Sequence, residues 1–66
     1  MIVATWKVAG YIVRQYAADH DPPHVHVFRD RKLLARYDIA NGRFLSVFDE
    51  RHKGRILEAL KKVGLA

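Results

Sequence analysis

Three of the four histidines lie close together in the sequence, at His20, His24 and His26. The last two are separated by one residue within an alternating segment, and in a β-strand such residues share a face, with their α-carbons about 6.6 Å apart. Prolines restrict their own backbone and that of the preceding residue, so residues 19–23 predict a stiff loop. That loop would bring His20 near the pair. The sequence therefore predicts three imidazoles on one surface.

Such a cluster suits two kinds of chemistry. Histidine titrates near neutral pH, so one imidazole can accept a proton from a nucleophile while another donates one to a leaving group. Histidines two apart on a strand are also a common ligand pair for Zn²⁺, Ni²⁺ or Fe²⁺, and His20, Asp19 or Asp21 would complete such a site. In a third, purely structural interpretation, the histidines hydrogen-bond the aspartates and hold the loop. We predict no obligatory cofactor and leave a divalent metal at the cluster open.

The charge of the chain narrows the choice of partner. Twelve Lys and Arg against seven Asp and Glu give a net charge of +5. A positive field of this size predicts an anionic partner, either nucleic acid or an acidic protein, although solubility alone also explains such a charge. With nucleic acid as the partner, the histidines would act on a phosphodiester whose charge is offset by nearby cations. The residues expected to bind it are Arg29, Arg31, Lys32, Arg36, Arg51 and Arg55.

Short strands are the elements that must position these residues. Alternating apolar and polar residues predict a hairpin over 2–8 and 11–17, with a two-residue break at positions 9 and 10. Further strands are predicted over 24–29, 33–39 and 43–48. Asp30-Arg31-Lys32 is typical of a tight polar turn, and Asn41-Gly42 is the strongest hairpin signal in the chain.

A single helix is predicted over residues 50–63. Asp49 is a suitable N-cap, and Gly64 is placed for a left-handed C-cap with Leu65 folding back beside it. The apolar face of this helix comprises Ile56, Leu57, Leu60 and Val63. A charged stripe on the other side of the helix consists of Arg51, Arg55, Glu58 and Lys62. This stripe either contacts the phosphates of a nucleic acid or is a solvated face held by ion pairs.

These elements predict one small α+β domain over residues 1–66. It consists of a mostly antiparallel sheet of about five short strands, followed by one C-terminal helix packed on the sheet. A chain this short buries little apolar surface, so a partner protein or a second copy of the chain would add stability.

Several classes of protein are excluded or disfavoured. The absence of cysteine excludes disulfides, thiolate metal sites and cysteine nucleophiles, and it fits a reducing cytoplasm. Residues 1–18 lean apolar, but Lys7 and Arg14 interrupt them, so neither a signal peptide nor a membrane span is expected.

The segment Asp19-His20-Asp21-Pro22-Pro23-His24-Val25-His26-Val27 is the most specific motif of the chain. Together with Gly10-Tyr11-Ile12-Val13 before it, and Ala35 and a terminal helix after it, it resembles a family of small bacterial domains of unknown function. Their signature is Asn/Asp-His-x-Pro-Pro-His-x-His-Val. The resemblance implies a component of a toxin–antitoxin pair that is encoded with another small protein. It also singles out His20, Pro22, Pro23, His24 and His26.

The leading hypothesis is a cytoplasmic toxin-type module that binds nucleic acid, with RNA as the expected class. In its enzymatic form it is a ribonuclease-like phosphodiesterase that uses His24, His26 and His20. A small acidic antitoxin-like protein would neutralise it, and no membrane is involved. The alternatives are a non-catalytic protein-binding or DNA-binding module, such as the antitoxin or regulatory half of a pair, and a histidine-based metal-binding domain.

Overall fold

The chain forms one antiparallel sheet of five strands followed by a helix. A computed structural model describes residues 2–16 and 23–66. The strands lie side by side in chain order, and they are β1 (Ile2–Val8), β2 (Tyr11–Tyr16), β3 (His24–Arg29), β4 (Lys32–Asp38) and β5 (Arg43–Val47). A short 3₁₀ turn (Glu50–His52) leads into α1 (Lys53–Lys62). This arrangement confirms the predicted α+β class.

Tight two-residue turns join β1 to β2 and β3 to β4. The turn between β1 and β2 has positive φ angles at Ala9 and Gly10. The turn between β3 and β4 has φ angles of 52° at Asp30 and 65° at Arg31, the signs required by the type I′ turn that suits the twist of a hairpin. The turn therefore needs only two residues, and Lys32, predicted to lie within it, begins β4 instead.

The connection between β4 and β5 is longer than the Asn-Gly signal predicts. β4 ends at Asp38, so Ile39 lies in a four-residue loop over 39–42 and not in the strand. The carboxylate of Asp38 accepts hydrogen bonds from the backbone of Ala40 and Asn41 and from the Asn41 side-chain amide. A local aspartate turn of this kind competes with continuation of the strand, which explains the earlier strand end.

The core lies between one face of the sheet and α1. Because side chains alternate along a strand, every second residue of the central strands points toward the helix. The buried apolar residues are Tyr11, Val13, Val25, Val27, Leu34, Ala35, Tyr37, Ile56, Ala59 and Leu60. The opposite side of the sheet carries the alternate residues of these strands, including both histidines of β3, and we call it the histidine face.

The helix ends as predicted but begins later. Asp49 caps the 3₁₀ turn by accepting the backbone N–H of Arg51, and α1 itself starts at Lys53. At the other end, the N–H of Leu65 donates to the carbonyl of Leu60 while Gly64 has a φ of 79°. This is a Schellman arrangement. The buried face comprises Ile56, Ala59 and Leu60. Of the predicted residues, Leu57 is only partly buried against the core, and Ala59 takes the place of Val63.

The helices of the described part of the chain include none with the length and hydrophobicity of a membrane span.

Candidate nucleic-acid interface

A row of polar side chains crosses all five strands of the histidine face. Paired positions in an antiparallel sheet project from the same side. Thr5 of β1 pairs with Arg14 of β2, which pairs with His26 of β3. His26 in turn pairs with Arg36 of β4, and Arg36 pairs with Ser46 of β5. One imidazole therefore stands between two guanidinium groups at the centre of the sheet.

Three rings pack around His26. Its ring lies 5.0 Å from those of Tyr16 and His24, and 6.3 Å from that of Phe28, which stacks on it at an interplanar angle of 19°. The three β3 rings follow one another because they alternate with the buried Val25 and Val27. The result is an aromatic strip along β3, half-buried and flanked by polar residues.

The two arginines are held in place differently. The Nη2 of Arg36 donates to the hydroxyl of Ser46 over 2.8 Å, whereas the guanidinium of Arg14 lies 5.7 Å from the centre of the Phe28 ring. The Nε of each arginine is buried and has no hydrogen-bond partner among residues 2–16 and 23–66. A buried donor without an acceptor is costly, so an anionic oxygen that drew these groups outward would relieve both.

A concavity of about 500 Å³ opens beside Phe28. Phe28, the first half of β2 and the β3–β4 turn form its walls, and it is lined by Gly10, Ile12, Arg14, Phe28, Arg29, Asp30 and Arg31. An aromatic ring with cations on two sides can stack a planar base while the cations contact the adjoining phosphates. The histidine face therefore has the chemistry of a surface that binds an anionic, ring-bearing polymer.

The structure places the predicted histidines as follows. His24 and His26 share a face and lie close to each other, as the alternation predicts. His20, together with Asp19, Asp21 and Pro22, lies outside the described residues. No group of three metal-ligating side chains occurs within the ranges that the structure describes, and the ligand set proposed from the sequence used residues beyond those ranges.

The predicted cations divide between two sides of the molecule. Arg36 lies on the histidine face, and Arg31 lines the concavity beside Phe28. Arg29 also lines that concavity, and it lines a groove on the helix side together with Arg51 and Arg55. Lys32 lines a third concavity next to Arg29 and Arg55. The six residues therefore do not form one surface.

Sequence reasoning did not assign Arg14 or Ser46 to the site. Both are recognised only through the register of the ladder, which brings them level with His26 and Arg36.

Asp38 was also missed. It is fully buried, pairs with His24 in the ladder, and lies 3.7 Å from the Nε of Arg43. The hydrogen bond from the side chain of Asn41 holds the pKa of Asp38 below its ordinary value, with the backbone N–H groups of Asn41 and Ala40 acting in the same direction. Asp38 therefore stays ionised and fixes the β4–β5 loop. An aspartate three residues before Asn-Gly was the available signal.

Comparison with known proteins assigns the family. The model of a domain of unknown function, DUF4160, matches residues 10–63. The chain belongs to the DUF4160 family. The DUF4160 match includes Arg14, His26 and Arg36 along with the whole of α1, whereas β1 precedes it. No curated protein and no solved structure matches the chain significantly.

Proposed function

We propose that the chain binds single-stranded RNA across its histidine face. The observation that carries the proposal is the row in which Arg14 and Arg36 stand on either side of His26, beside the ring of Phe28. Proteins that bind single strands combine cations that follow the backbone with exposed rings on which bases stack. A sheet face with rings on its central strand is a common form of such a surface.

In this proposal the arginines bind the phosphates of the RNA, and the aromatic ring of Phe28 binds a base. Arg14 and Arg36 contact consecutive phosphates, since guanidinium groups bind phosphate oxygens in a forked geometry. Phe28 and the concavity beside it take a base, and Arg31 at the rim of that concavity contacts the backbone next to it. The net charge of +5 assists the approach of the polyanion.

Cleavage of the bound RNA is a second candidate function, favoured by the contact between His24 and His26. In this reaction a neutral imidazole accepts the proton of a ribose 2′-hydroxyl, and the 2′-oxygen forms a bond to phosphorus. The bond from phosphorus to the 5′-oxygen breaks, and the other histidine, as imidazolium, protonates that oxygen. The products are a 2′,3′-cyclic phosphate and a 5′-hydroxyl end.

The geometry favours binding over cleavage. The centres of the two imidazoles are 5.0 Å apart, which leaves no room for a phosphate between the rings. Both rings would have to reach the phosphate from one side, whereas an in-line displacement is best served by a base and an acid on opposite sides. Binding is therefore the main proposal, and His20 remains a candidate for the second catalytic group.

We further propose the biological setting that the family resemblance implies. The protein acts in the cytoplasm as the toxin-type half of a toxin–antitoxin pair, and a small acidic protein neutralises it. The positive charge of the chain, which suits an acidic partner, supports this setting. Expression of the chain is then expected to arrest growth, and a His24→Ala/His26→Ala variant that still folds is expected to relieve the arrest. Unchanged toxicity of that variant would contradict the catalytic role of the histidines.

The binding proposal is tested with a labelled oligouridylate and fluorescence anisotropy. The variant Arg14→Gln/Arg36→Gln should bind more weakly, and the slope of log affinity against log salt concentration should become shallower by about two, because about one counterion is released per phosphate contact. Lys53→Gln/Lys61→Gln removes the same charge from α1, on the other side of the sheet, and should retain the wild-type slope. Equal weakening by both pairs would indicate a non-specific charge effect and refute the proposed face.

The cleavage proposal has its own test. Wild-type protein should convert an oligoribonucleotide into fragments that end in a cyclic phosphate, and a single 2′-deoxy substitution should block the cut at that position. His24→Ala or His26→Ala should abolish cleavage, while His52→Gln, on the helix side, should retain it. Cleavage that persists in both β3 variants would exclude these histidines as the catalytic groups.

A further inference from the structure

A second cationic surface lies on the helix side of the sheet, away from the histidine face. It is a groove of about 570 Å³ between α1 and the start of β2. Its cationic residues are Arg29, Arg51, Arg55 and Lys62, and the carboxylate of Glu58 lies among them. Arg51 also donates to the carboxylate of Asp49 through its Nε and Nη2. The charged stripe predicted from the sequence of the helix therefore forms one wall of this groove.

The floor of this groove differs chemically from its rim. Small or apolar residues form the floor, where Tyr11 is 2% and Ala59 is 1% exposed. A β-carbon added at Gly54 would meet no atom within 4 Å, so the space above that position is open. The side chain of Arg51 at the rim is 87% exposed. An apolar floor with cations along its edges is therefore available to a ligand that combines apolar groups with negative charges.

Arg29 closes the sheet side of the groove. Its guanidinium lies 5.5 Å from the centre of the Tyr11 ring, over which it is positioned by a cation–π contact. The Tyr11 ring itself is buried, being 2% exposed. A single-stranded nucleic acid gains much of its affinity from accessible ring faces, and Tyr11 does not offer one, whereas Phe28 is only half-buried.

We propose that this groove binds an acidic peptide segment of a partner protein. Apolar side chains of the segment would lie on the floor between Ala9 and Ala59, and its carboxylates would pair with Arg51, Arg55 and Lys62. Glu58 does not oppose this binding strongly, because Lys61 lies 3.7 Å from its carboxylate. The proposal does not depend on RNA binding, since the groove and the histidine face lie on opposite sides of the sheet. It gives the acidic partner proposed above a specific docking site.

The test uses the full chain and a labelled synthetic peptide of alternating glutamate and leucine. Wild-type protein should bind the peptide, and Arg51→Gln/Arg55→Gln should weaken binding about tenfold, as expected for two partly exposed ion pairs. Lys7→Gln/Lys53→Gln removes equal charge but no residue that lines the groove. It also leaves the ion pair between Lys61 and Glu58 in place, so this variant should retain most of the affinity. Thermal melting of both variants checks that α1 is intact. Equal weakening by the two pairs would overturn the proposal.

Two further measurements separate this site from the RNA-binding face. In amide chemical-shift mapping, the peptide should perturb Ala9, Gly54 and Ala59, whereas perturbation confined to 24–28 would show that it binds the histidine face and would overturn the proposal. Oligouridylate binding should survive Arg51→Gln/Arg55→Gln. Loss of RNA binding in that variant, with no peptide binding by the wild type, would show that the groove holds nucleic acid and not a peptide.

Discussion

Arg14 and Arg36 lie on opposite sides of His26, each directly across from it in the ladder of its own strand. Like charges near one another on a half-buried surface repel, and the buried Nε atoms of both arginines have no acceptor in the described ranges. The cation–π contact of Arg14 with Phe28 and the hydrogen bond from Arg36 to Ser46 offset only part of this cost. An RNA strand that places consecutive phosphates at the two guanidinium groups, as we propose, would give each of them an anionic partner.

The ring of Phe28 is predicted to carry part of the affinity for RNA. Phe28→Ala should weaken binding of an oligouridylate by about 1–3 kcal/mol, the usual contribution of one stacked base. Phe48→Ala provides the matched control, because Phe48 is 62% exposed and lies beyond β5, outside the aromatic strip. Anisotropy titrations of both variants test the prediction, and an equal loss for the two would contradict stacking on Phe28.

Two glycines of the helical region should respond to alanine with opposite signs. Gly64 has a φ of 79° at the C-terminal cap, so Gly64→Ala should lower the free energy of unfolding by about 1 kcal/mol. Gly54 lies within α1 with no atom near an added β-carbon, so Gly54→Ala should raise it by about 0.5–1 kcal/mol. Urea denaturation measures both. A loss of stability at position 54 would mean that the space above it is occupied.

Asp38 is predicted to make stability depend on pH in the acid range. The pKa of this carboxyl is lower in the folded chain than in the unfolded chain, mainly because of the hydrogen bond from Asn41. Its contribution is therefore complete above the unfolded pKa of about 4 and is lost as the pH falls through the folded value. Asp38→Asn should be less stable than the wild type at neutral pH, and the difference should shrink on acidification.

Denaturation curves measured at a series of pH values test this dependence. Asp30→Asn, in the exposed β3–β4 turn, controls for the loss of one carboxylate. Part of the acid dependence should survive in Asp38→Asn, because the hydrogen bond from the Arg51 side chain also lowers the pKa of Asp49. A difference between wild type and Asp38→Asn that stays constant down to low pH would show that Asp38 acts through packing alone.

A hydrogen bond connects the sheet to the start of the helix. The hydroxyl of Tyr11 lies 2.7 Å from the Nδ1 of His52, and both side chains are largely buried. Tyr11→Phe should reduce the free energy of unfolding by about 1 kcal/mol, since it removes the bond and leaves the ring in place. A double-mutant cycle with His52→Ala isolates the bond. Additive effects of the two substitutions would show that the contact contributes nothing.

The strands and the helix could be predicted because each depends on local sequence. Alternation determines which residues of β3 face the core, and Asp49 and Gly64 mark the ends of the helical region through local capping. The predicted strand bounds were wrong where local turn geometry changed the length of a strand. Asp38 ended β4 early in this way, and the two-residue type I′ turn placed Lys32 in the strand.

The site was less predictable because it depends on register. His24 and His26 were identified from one strand alone, but the neighbours of His26 come from β2 and β4. Register shifts occur between Val27 and Phe28 and between Arg36 and Tyr37, and each shift changes which residues face one another. The connection from β2 to β3 is also too long for a turn type to fix the pairing. Arg14 could therefore not be assigned to the site without coordinates.

The most direct test of the RNA-binding face is amide and guanidinium chemical-shift mapping during titration with oligouridylate. We expect perturbations at Arg14, His26, Phe28 and Arg36, with Ala59 and Leu60 of α1 unchanged. Perturbations centred on α1, or none at saturating oligonucleotide, would contradict it.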